Sequence, residues 1–537
     1  MANAPGVAAD DAAWWIQAFR DLPQSFITAL NGLYAHVGTH VGRRQANEAM
    51  ERARAAIETA RSHRLPFEAD DDDICQAAEG YARKCFDARG YEADICEIAG
   101  LPVEDPGRPR LIDALWWRRQ LRRAVGRDID HVGRTVGVVH KAAQCYAADL
   151  TVKRRTAQQR RIARTLKRLD IVCDAPRQIR LPLDEVVAGS TANPIIRRTE
   201  MMTRIGGIED WAAARGWRAI FVTVTCPSAY HARNESGRPY DWNGSTPREA
   251  QDYLMSVWTR TRAAWKRRGL APVGLRVVEP HHDGCPHWHL LMFAPESQLC
   301  EIEAIIRRYA LAQDPDEPGA QEHRVKCEPI DRRKGRAVGY IAKYVAKCID
   351  GFGLEVDWYG NSGETAARRI VSWAACWGIR QFQFFGAPQV GVWRELRRID
   401  GAPAGPLGDA WRAADMGLWS EYMRLQEVAP VTLAKAWSDK PTKYGEVTGW
   451  IVVGVEAEGV RLPTRKVWRI EKRPLMDLGA LSLTVRPNIV GLEYSQTTRY
   501  SGRGDAPPPR SRDWHTPGRR QPPGCGPPGV INKRKSR

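Results

Sequence analysis

The chain has 537 residues, too many for a single hydrophobic core, and its formal net charge is +18 at pH 7. So large a positive charge favours a polyanionic partner such as a nucleic acid, because lysine and arginine contacts to phosphates release counterions. No apolar run approaches the roughly 18–20 residues that cross a bilayer, and the N-terminus lacks a signal-peptide pattern, so we expect a cytoplasmic protein without a membrane partner.

Residues 1–195 predict a mainly helical region. An acidic run, Asp70–Asp73, precedes a helical pattern and is more typical of a capped, solvated helix start than of a metal site. Farther on, residues 153–168 predict a strongly basic helix. That helix is compatible with DNA contact and equally with a charged face in solvent, because composition does not separate the two.

Residues 196–400 predict an α+β domain. Valine and threonine alternate over 222–225, which indicates a strand with one polar face. Thr246-Pro247 predicts the N-cap and first-turn proline of a helix over 248–268. Antiparallel strands mixed with helices are typical of a layered α+β fold.

A β-hairpin is predicted in the middle of this domain. Gly274–Glu279 and His287–Phe293 are strand-like runs, and the residues between them include Asp283-Gly284 and two prolines, which favour turns. If the hairpin is symmetrical about Asp283, Glu279 and His287 lie opposite each other, with Cβ atoms roughly 4.5–5.5 Å apart.

The predicted hairpin carries a candidate metal site. Strand alternation puts His287 and His289 on one face. Two imidazoles and the Glu279 carboxylate suit a divalent ion, Mg²⁺ or Mn²⁺, that keeps positions open for substrate oxygens. His282 and Asp283 are alternatives to Glu279 as the third ligand, and the histidine pair alone is also compatible with an ordinary polar sheet face.

The segment 336–348 predicts a helix with a doubled Tyr-x-x-Lys unit. Residues four apart share a helical face, so Tyr340 neighbours Tyr344 and Lys343 neighbours Lys347. A phenol has an ordinary pKa near 10, so its attack on a phosphodiester needs a nearby cation. We therefore predict catalytic roles for these four residues, with tyrosines that merely cover a core edge as the alternative. The predicted apolar stripe of the helix is Ile341, Val345 and Ile349.

The C-terminal part of the sequence changes character twice. Residues 401–500 predict a small mixed α/β region of unknown role, with further helix followed by strand-like runs such as 450–453. Residues 501–537 are rich in proline, glycine and arginine and end in a basic cluster. Such a composition buries too little apolar surface to fold alone and predicts a disordered basic tail.

Several further segments between Leu111 and Ile399 carry a family resemblance. They are Trp116–Arg122, Asn193–Arg198, Met202–Ile205, Phe221–Ser228, Thr246–Gln251, Glu279–Gly284, Pro286–His289 and Trp377–Phe382. Together with the doubled tyrosine, they resemble the replication gene A protein family of tailed temperate phages, which are HUH endonucleases. The tyrosines follow the histidines, as in replication initiators, whereas conjugative relaxases carry the tyrosine first.

The resemblance implies a fold and a set of site residues. The fold is an HUH endonuclease domain, with a central antiparallel sheet and packed helices, in which the strand Phe221–Thr225 lies beside the histidine strand. The metal pair corresponds to His287 and His289, and the nucleophiles correspond to Tyr340 and Tyr344.

The resemblance also implies a function. The protein is expected to be a site- and strand-specific endonuclease and joining enzyme for single-stranded origin DNA, which initiates rolling-circle replication of a phage in its bacterial host. A 5′-phosphotyrosine would form, and the free 3′-OH would prime a host polymerase working with a host helicase. The alternatives are a non-catalytic origin-binding protein and a mobilisation relaxase.

Overall fold

The chain contains both helices and antiparallel sheets, and its N-terminal part is mainly helical, which confirms the predicted α+β class. The computed structural model describes residues 14–15, 17–60, 65–87, 95–96, 107–173, 178–235 and 241–474. The predicted tail, 501–537, lies outside the described residues, as does the end of the predicted mixed region. None of the helices in the described ranges combines the length and the apolar composition that crossing a membrane requires.

The bounds of the elements follow chain order. The α-helices are Gln24–His40, Arg43–Ala60, Asp71–Asp87, Arg108–Leu111, Ala114–Thr135, Asp149–Leu166, Leu183–Ala188, Pro194–Ala213, Pro247–Arg267, Leu299–Ala310, Ala320–His323, Ala337–Lys347, Gly363–Trp377, Val390–Leu396, Gly405–Asp415 and Trp419–Val428. The strands are β1 (Leu169–Cys173), β2 (Ile179–Pro182), β3 (Arg218–Val224), β4 (Val273–Pro280), β5 (Pro286–Ala294), β6 (Val325–Pro329), β7 (Phe382–Phe385), β8 (Thr432–Pro441), β9 (Val447–Ala457), β10 (Val460–Pro463) and β11 (Arg469–Lys472).

A five-stranded antiparallel sheet, in the order β6-β3-β5-β4-β7, positions the candidate site. The hairpin of β4 and β5 pairs Glu279 with His287, which confirms the predicted symmetrical register. Gly284 closes its turn with a φ of 83°, a left-handed conformation that glycine adopts without steric cost. Strand β3 lies beside the histidine strand β5, as the resemblance implied.

Two helices confirm their sequence signals closely. Pro247–Arg267 begins with a capping box, in which the Thr246 side chain accepts from the Glu249 N–H and the Glu249 carboxylate accepts from the Thr246 N–H. Ala337–Lys347, which we name the tyrosine helix, matches the helix predicted over 336–348. Its predicted apolar stripe, Ile341, Val345 and Ile349, is buried.

Helices cover both faces of the central sheet. Pro247–Arg267 packs on one face, and Pro194–Ala213 packs with the tyrosine helix on the other. Phe221 of β3 is buried on this second face, where its ring stacks on Tyr344 at a centroid distance of 5.3 Å. The polar face predicted for β3, which includes Thr223, therefore also carries Phe221 and lies under the tyrosine helix.

The N-terminal region is joined to the hairpin through a buried arginine. Arg134, in the last turn of Ala114–Thr135, donates from Nε to the backbone oxygen of Asp283 at 2.9 Å and from Nη1 to that of Ser245 at 2.9 Å. A second connection joins distant parts of the sequence, because β1 pairs with both β2 and β11 in a three-stranded antiparallel sheet.

The acidic run begins a helix as predicted, but one of its members is not solvated. The Asp70 side chain accepts hydrogen bonds from two backbone N–H groups at the start of Asp71–Asp87, at 2.7 and 3.0 Å. Asp71 is instead partly buried and paired with Arg118 at 2.6 Å and Arg122 at 2.5 Å. The prediction of a solvated start is wrong for this residue because an arginine-rich helix packs beside it.

Candidate metal and nucleophile site

Glu279, His287 and His289 come together on one face of the hairpin. One ligand atom from each residue lies within 4.8 Å of the ligand atoms of the other two. The Nε2 atoms of the two imidazoles are 2.9 Å apart. Within the part of the chain that the structure describes, this is the one group of three or more histidine, cysteine or carboxylate side chains arranged to hold a metal ion.

Burial keeps both histidines neutral, which is the protonation state that binds metal. Burial is the largest cause lowering the pKa of His287 and His289 well below the ordinary value, and the His281 ring and the Lys347 ammonium lower both values further. Thr223 Oγ1 lies 3.1 Å from Nδ1 of His289. In the tautomer in which Nδ1–H donates to Thr223, His289 offers its Nε2 lone pair to the cluster.

The two alternative third ligands lie outside this cluster. The Asp283 carboxylate accepts hydrogen bonds from two backbone N–H groups, at 2.9 and 3.1 Å, and lies 3.2 Å from Nδ1 of His231. The His282 ring packs edge-on against Tyr359, with centroids 5.7 Å apart. Asp283 therefore holds the hairpin turn in place, and the geometry favours Glu279 as the third ligand.

Replacing Asp283 with alanine should destabilise the protein by about 3–5 kcal/mol, because a buried partner of His231 and two backbone bonds are lost. Although burial opposes its charge, His231 holds the pKa of Asp283 well below the ordinary value. Its contribution is therefore present above the unfolded-state pKa and is lost as the pH falls below that value. Urea unfolding at neutral and acidic pH measures the effect.

A surface aspartate provides the matched control for this measurement. Asp252 is exposed and pairs with Arg248 at 3.0 Å, so Asp252→Ala should cost less than about 1 kcal/mol. A similarly small loss for Asp283→Ala would contradict the structural role of its carboxylate.

The two tyrosines occupy different environments. The ring centroid of Tyr344 lies 3.9 Å from that of His289 and 5.3 Å from that of Phe221. Burial raises the pKa of Tyr344 above its ordinary value. Tyr340, one turn earlier, is 37% exposed. The tyrosine helix therefore brings one hydroxyl-bearing ring against a candidate metal ligand and leaves the other at the surface.

The two lysines also have different neighbours, although the sequence predicted equivalent roles. Lys347 is half-buried, and its Nζ lies 3.2 Å from Oε2 of Glu279. Burial opposes its charge, but Glu279 raises the pKa of Lys347 above the ordinary value overall. Lys343 is exposed, with Nζ 4.9 Å from the ring centroid of Tyr344. Lys343 therefore lies beside the ring of Tyr344, and Lys347 lies beside the carboxylate of Glu279.

Tyr146 belongs to the surroundings of the site, although no sequence signal indicated it. Its backbone N–H donates to the backbone oxygen of His282 at 3.0 Å, and its hydroxyl donates to Asp357 at 2.6 Å. The Nζ atom of Lys347 lies 5.1 Å from the centroid of its ring. Because Tyr146 lies in the predicted N-terminal region, only the tertiary fold brings it to the hairpin.

Comparisons with known proteins agree with these motifs. Residues 105–352 match the family model of the bacteriophage replication gene A protein (GPA). The replication protein of Haemophilus phage HP1 is 37% identical over 383 residues, which are 68% of this chain and 49% of that protein. The replication gene A protein of Escherichia phage 186 is 40% identical over 333 residues, which are 60% of this chain and 48% of that protein.

A third relative carries a more specific name. A probable replication endonuclease from a prophage-like region of Salmonella paratyphi A is 34% identical over 368 residues, which are 64% of this chain and 46% of that protein. The chain spans about half the length of these curated relatives. No solved structure matches the chain significantly. The family predicted from the motifs is confirmed: the chain belongs to the bacteriophage replication gene A protein family.

Proposed function

We propose that the protein is an HUH-type, metal-dependent DNA endonuclease that cuts and rejoins one strand through a tyrosine and so initiates rolling-circle replication. The observation that carries the proposal is the contact between the rings of Tyr344 and His289, whose centroids are 3.9 Å apart. It joins a candidate nucleophile to a candidate metal ligand. The name of one relative, a probable replication endonuclease, supports nuclease activity.

The residues of the cluster fit a divalent ion, either Mg²⁺ or Mn²⁺. His287 and His289 are held neutral by burial, and Lys347 orients the Glu279 carboxylate. This set of two nitrogens and one oxygen would hold the ion with positions left for substrate oxygens. When bound, the ion would polarise the scissile phosphate.

The tyrosine hydroxyl supplies the covalent chemistry. Its oxygen forms a bond to phosphorus, and the bond from phosphorus to the 3′ oxygen breaks, which leaves a 5′-phosphotyrosine and a free 3′-OH. Because burial raises the pKa of Tyr344, the hydroxyl keeps its proton until attack. As the new bond forms, that proton is given up and the leaving 3′ oxygen takes up a proton, so the exchange as a whole moves one proton from the tyrosine to the 3′-OH. Lys343 provides a nearby positive charge for the phosphate.

The same exchange explains joining and priming. One phosphodiester replaces another, so resealing by attack of a 3′-OH needs no ATP. Until then, the free 3′-OH would prime a host polymerase while a host helicase separates the strands. Tyr344 against the cluster and Tyr340 at the surface would serve the two cuts that release one unit of product.

A covalent adduct tests the proposal. Labelled single-stranded oligonucleotides from the phage's own replication region should yield a protein–DNA adduct on a denaturing gel with Mg²⁺ or Mn²⁺ and none in excess chelator. DNA binding without any adduct would instead favour the non-catalytic origin-binding protein.

The third ligand can be identified by two substitutions. Glu279→Gln should raise the metal concentration for half-maximal adduct formation by roughly 10–100-fold, since a ligand charge is lost while the shape is kept. His282→Ala should raise it less, because its ring packs on Tyr359 outside the cluster. The reverse order would assign the third ligand to His282.

A further inference from the structure

An arginine-lined cavity opens at the β7 edge of the central sheet. Its volume is about 630 Å³, and its lining contains five arginines and one carboxylate. That carboxylate, Glu200, forms two hydrogen bonds with Arg394, at 2.6 and 2.9 Å. The cavity therefore has a strong excess of positive charge. The lining arginines are Arg155, Arg197, Arg204, Arg380 and Arg394.

Two buried side chains in this lining have donors without acceptors. Arg204 is 6% exposed, and its Nε has no hydrogen-bond partner. Its guanidinium lies over the ring of Phe384 at 3.6 Å and that of Trp419 at 4.8 Å, and burial lowers its pKa to about 10, so it stays charged at neutral pH. Gln381 is 7% exposed, and its Nε2 also lacks a partner. Unsatisfied donors are costly, and an anion in the cavity would satisfy them.

The cavity is next to the candidate metal cluster. The backbone oxygen of Gln381 accepts from the N–H of Val278, the residue before Glu279. The guanidinium of Arg197 lies over the ring of Phe382, 5.1 Å from its centroid, and Phe382 pairs with Val277 of the hairpin, two residues before Glu279. A strand whose scissile phosphate lies at the cluster can therefore reach the arginines.

We propose that this cavity binds backbone phosphates of the DNA strand that the tyrosines cut, an assignment that rests on the proposed function. A continuous strand fits better than a single free anion, because Arg155 and Ala375 also line a second cavity, of about 530 Å³. That second lining holds three acidic side chains, of which Asp71 pairs with Arg122 and Arg161, and a larger number of cations, so its charge is positive overall. The cations are Arg119, Arg122, Arg123, Lys153, Arg154, Arg155 and Arg161. Two adjoining cationic cavities suit a polymer that carries a phosphate at each of its residues.

Salt-dependent binding of a fluorescent single-stranded oligonucleotide tests the proposal. Measuring in excess chelator separates binding from cutting. The double variant Arg197→Gln/Arg380→Gln alters two exposed residues of the lining. It should bind roughly tenfold more weakly. The slope of log affinity against log salt should fall by about 1.4, or about 0.7 for each lost phosphate contact.

A charge-matched control removes two arginines from the other face of the sheet. Arg260 and Arg267 lie on Pro247–Arg267, outside the cavity lining. Arg260→Gln/Arg267→Gln should leave most of the slope unchanged, and an equal fall in both double variants would overturn the proposal. If the Arg197→Gln/Arg380→Gln variant unfolds at a lower temperature than the wild-type protein, the single Arg380→Gln variant should still lower the slope by about 0.7.

Two further measurements distinguish this proposal from a free-nucleotide site and from failure of the proposed function. Binding of a deoxynucleoside triphosphate that depends on Arg197 and Arg380, with an unchanged DNA slope, would identify a free-nucleotide site and overturn the strand assignment. The half-saturating DNA concentration for adduct formation should rise in the cavity variant and stay near the wild-type value in Arg260→Gln/Arg267→Gln, whose residues lie outside the lining. If the wild-type protein forms no adduct, the proposed function fails, while the salt slopes still decide whether the cavity binds DNA.

Discussion

Replacing both Tyr340 and Tyr344 with phenylalanine should abolish the covalent protein–DNA adduct. The substitution removes only the hydroxyl oxygens, so the ring of residue 344 can still pack on His289 and Phe221. Loss of the nucleophile should lower the cutting rate by roughly 10⁴–10⁶-fold. A denaturing gel with a labelled single-stranded oligonucleotide measures the adduct.

The single variants should differ because the two tyrosines do. Tyr344→Phe should reduce the first cut more than Tyr340→Phe, since Tyr344 contacts His289 and Tyr340 lies at the surface. Each single variant should keep some cleavage and fail at repeated cutting and joining. Tyr309→Phe, a half-buried tyrosine on the other side of the sheet, is the control and should retain full activity. Peptide mapping that finds DNA on any residue other than the pair would overturn the mechanism.

The local parts of the candidate site could be predicted from the sequence. Strand alternation gave His287 and His289 one face, and turn chemistry at Asp283-Gly284 gave the register that sets Glu279 opposite His287. The apolar spacing of four gave the tyrosine helix its buried stripe. Each of these depends on periodicities within about ten residues, which hold whatever the rest of the chain does.

The remainder depends on contacts between distant segments. Lys343 and Lys347 are equivalent in the sequence, but only Lys347 meets Glu279, because the phase of the helix against the sheet decides which lysine is buried. The sequence predicted a solvated Asp71, whereas in the fold Arg118 and Arg122 of a neighbouring helix pair with its carboxylate. Local periodicity likewise does not predict the hydrogen bond that Arg134 donates to the backbone oxygen of Asp283 in the hairpin turn.

Replacing both His287 and His289 with alanine should abolish metal-dependent cutting while leaving DNA binding largely intact. The two imidazoles are the only nitrogen ligands in the described cluster, so their loss leaves Glu279 alone and should lower the cutting rate by at least roughly 10³-fold. Binding should persist because phosphate contacts elsewhere on the protein dominate affinity. Adduct formation and salt-dependent binding are measured on the same preparation.

An exposed histidine controls for the loss of imidazoles in general. His323 lies outside the cluster, so His323→Ala should cut like the wild-type protein. Thermal unfolding establishes whether the double variant is folded, because the His289 ring packs against Tyr344 of the tyrosine helix. Full cutting by the folded double variant, or by the wild-type protein in excess chelator, would remove the metal from the mechanism. The tyrosines would then have to act with the lysines alone, and Lys343→Gln rather than the histidine variants should abolish the adduct.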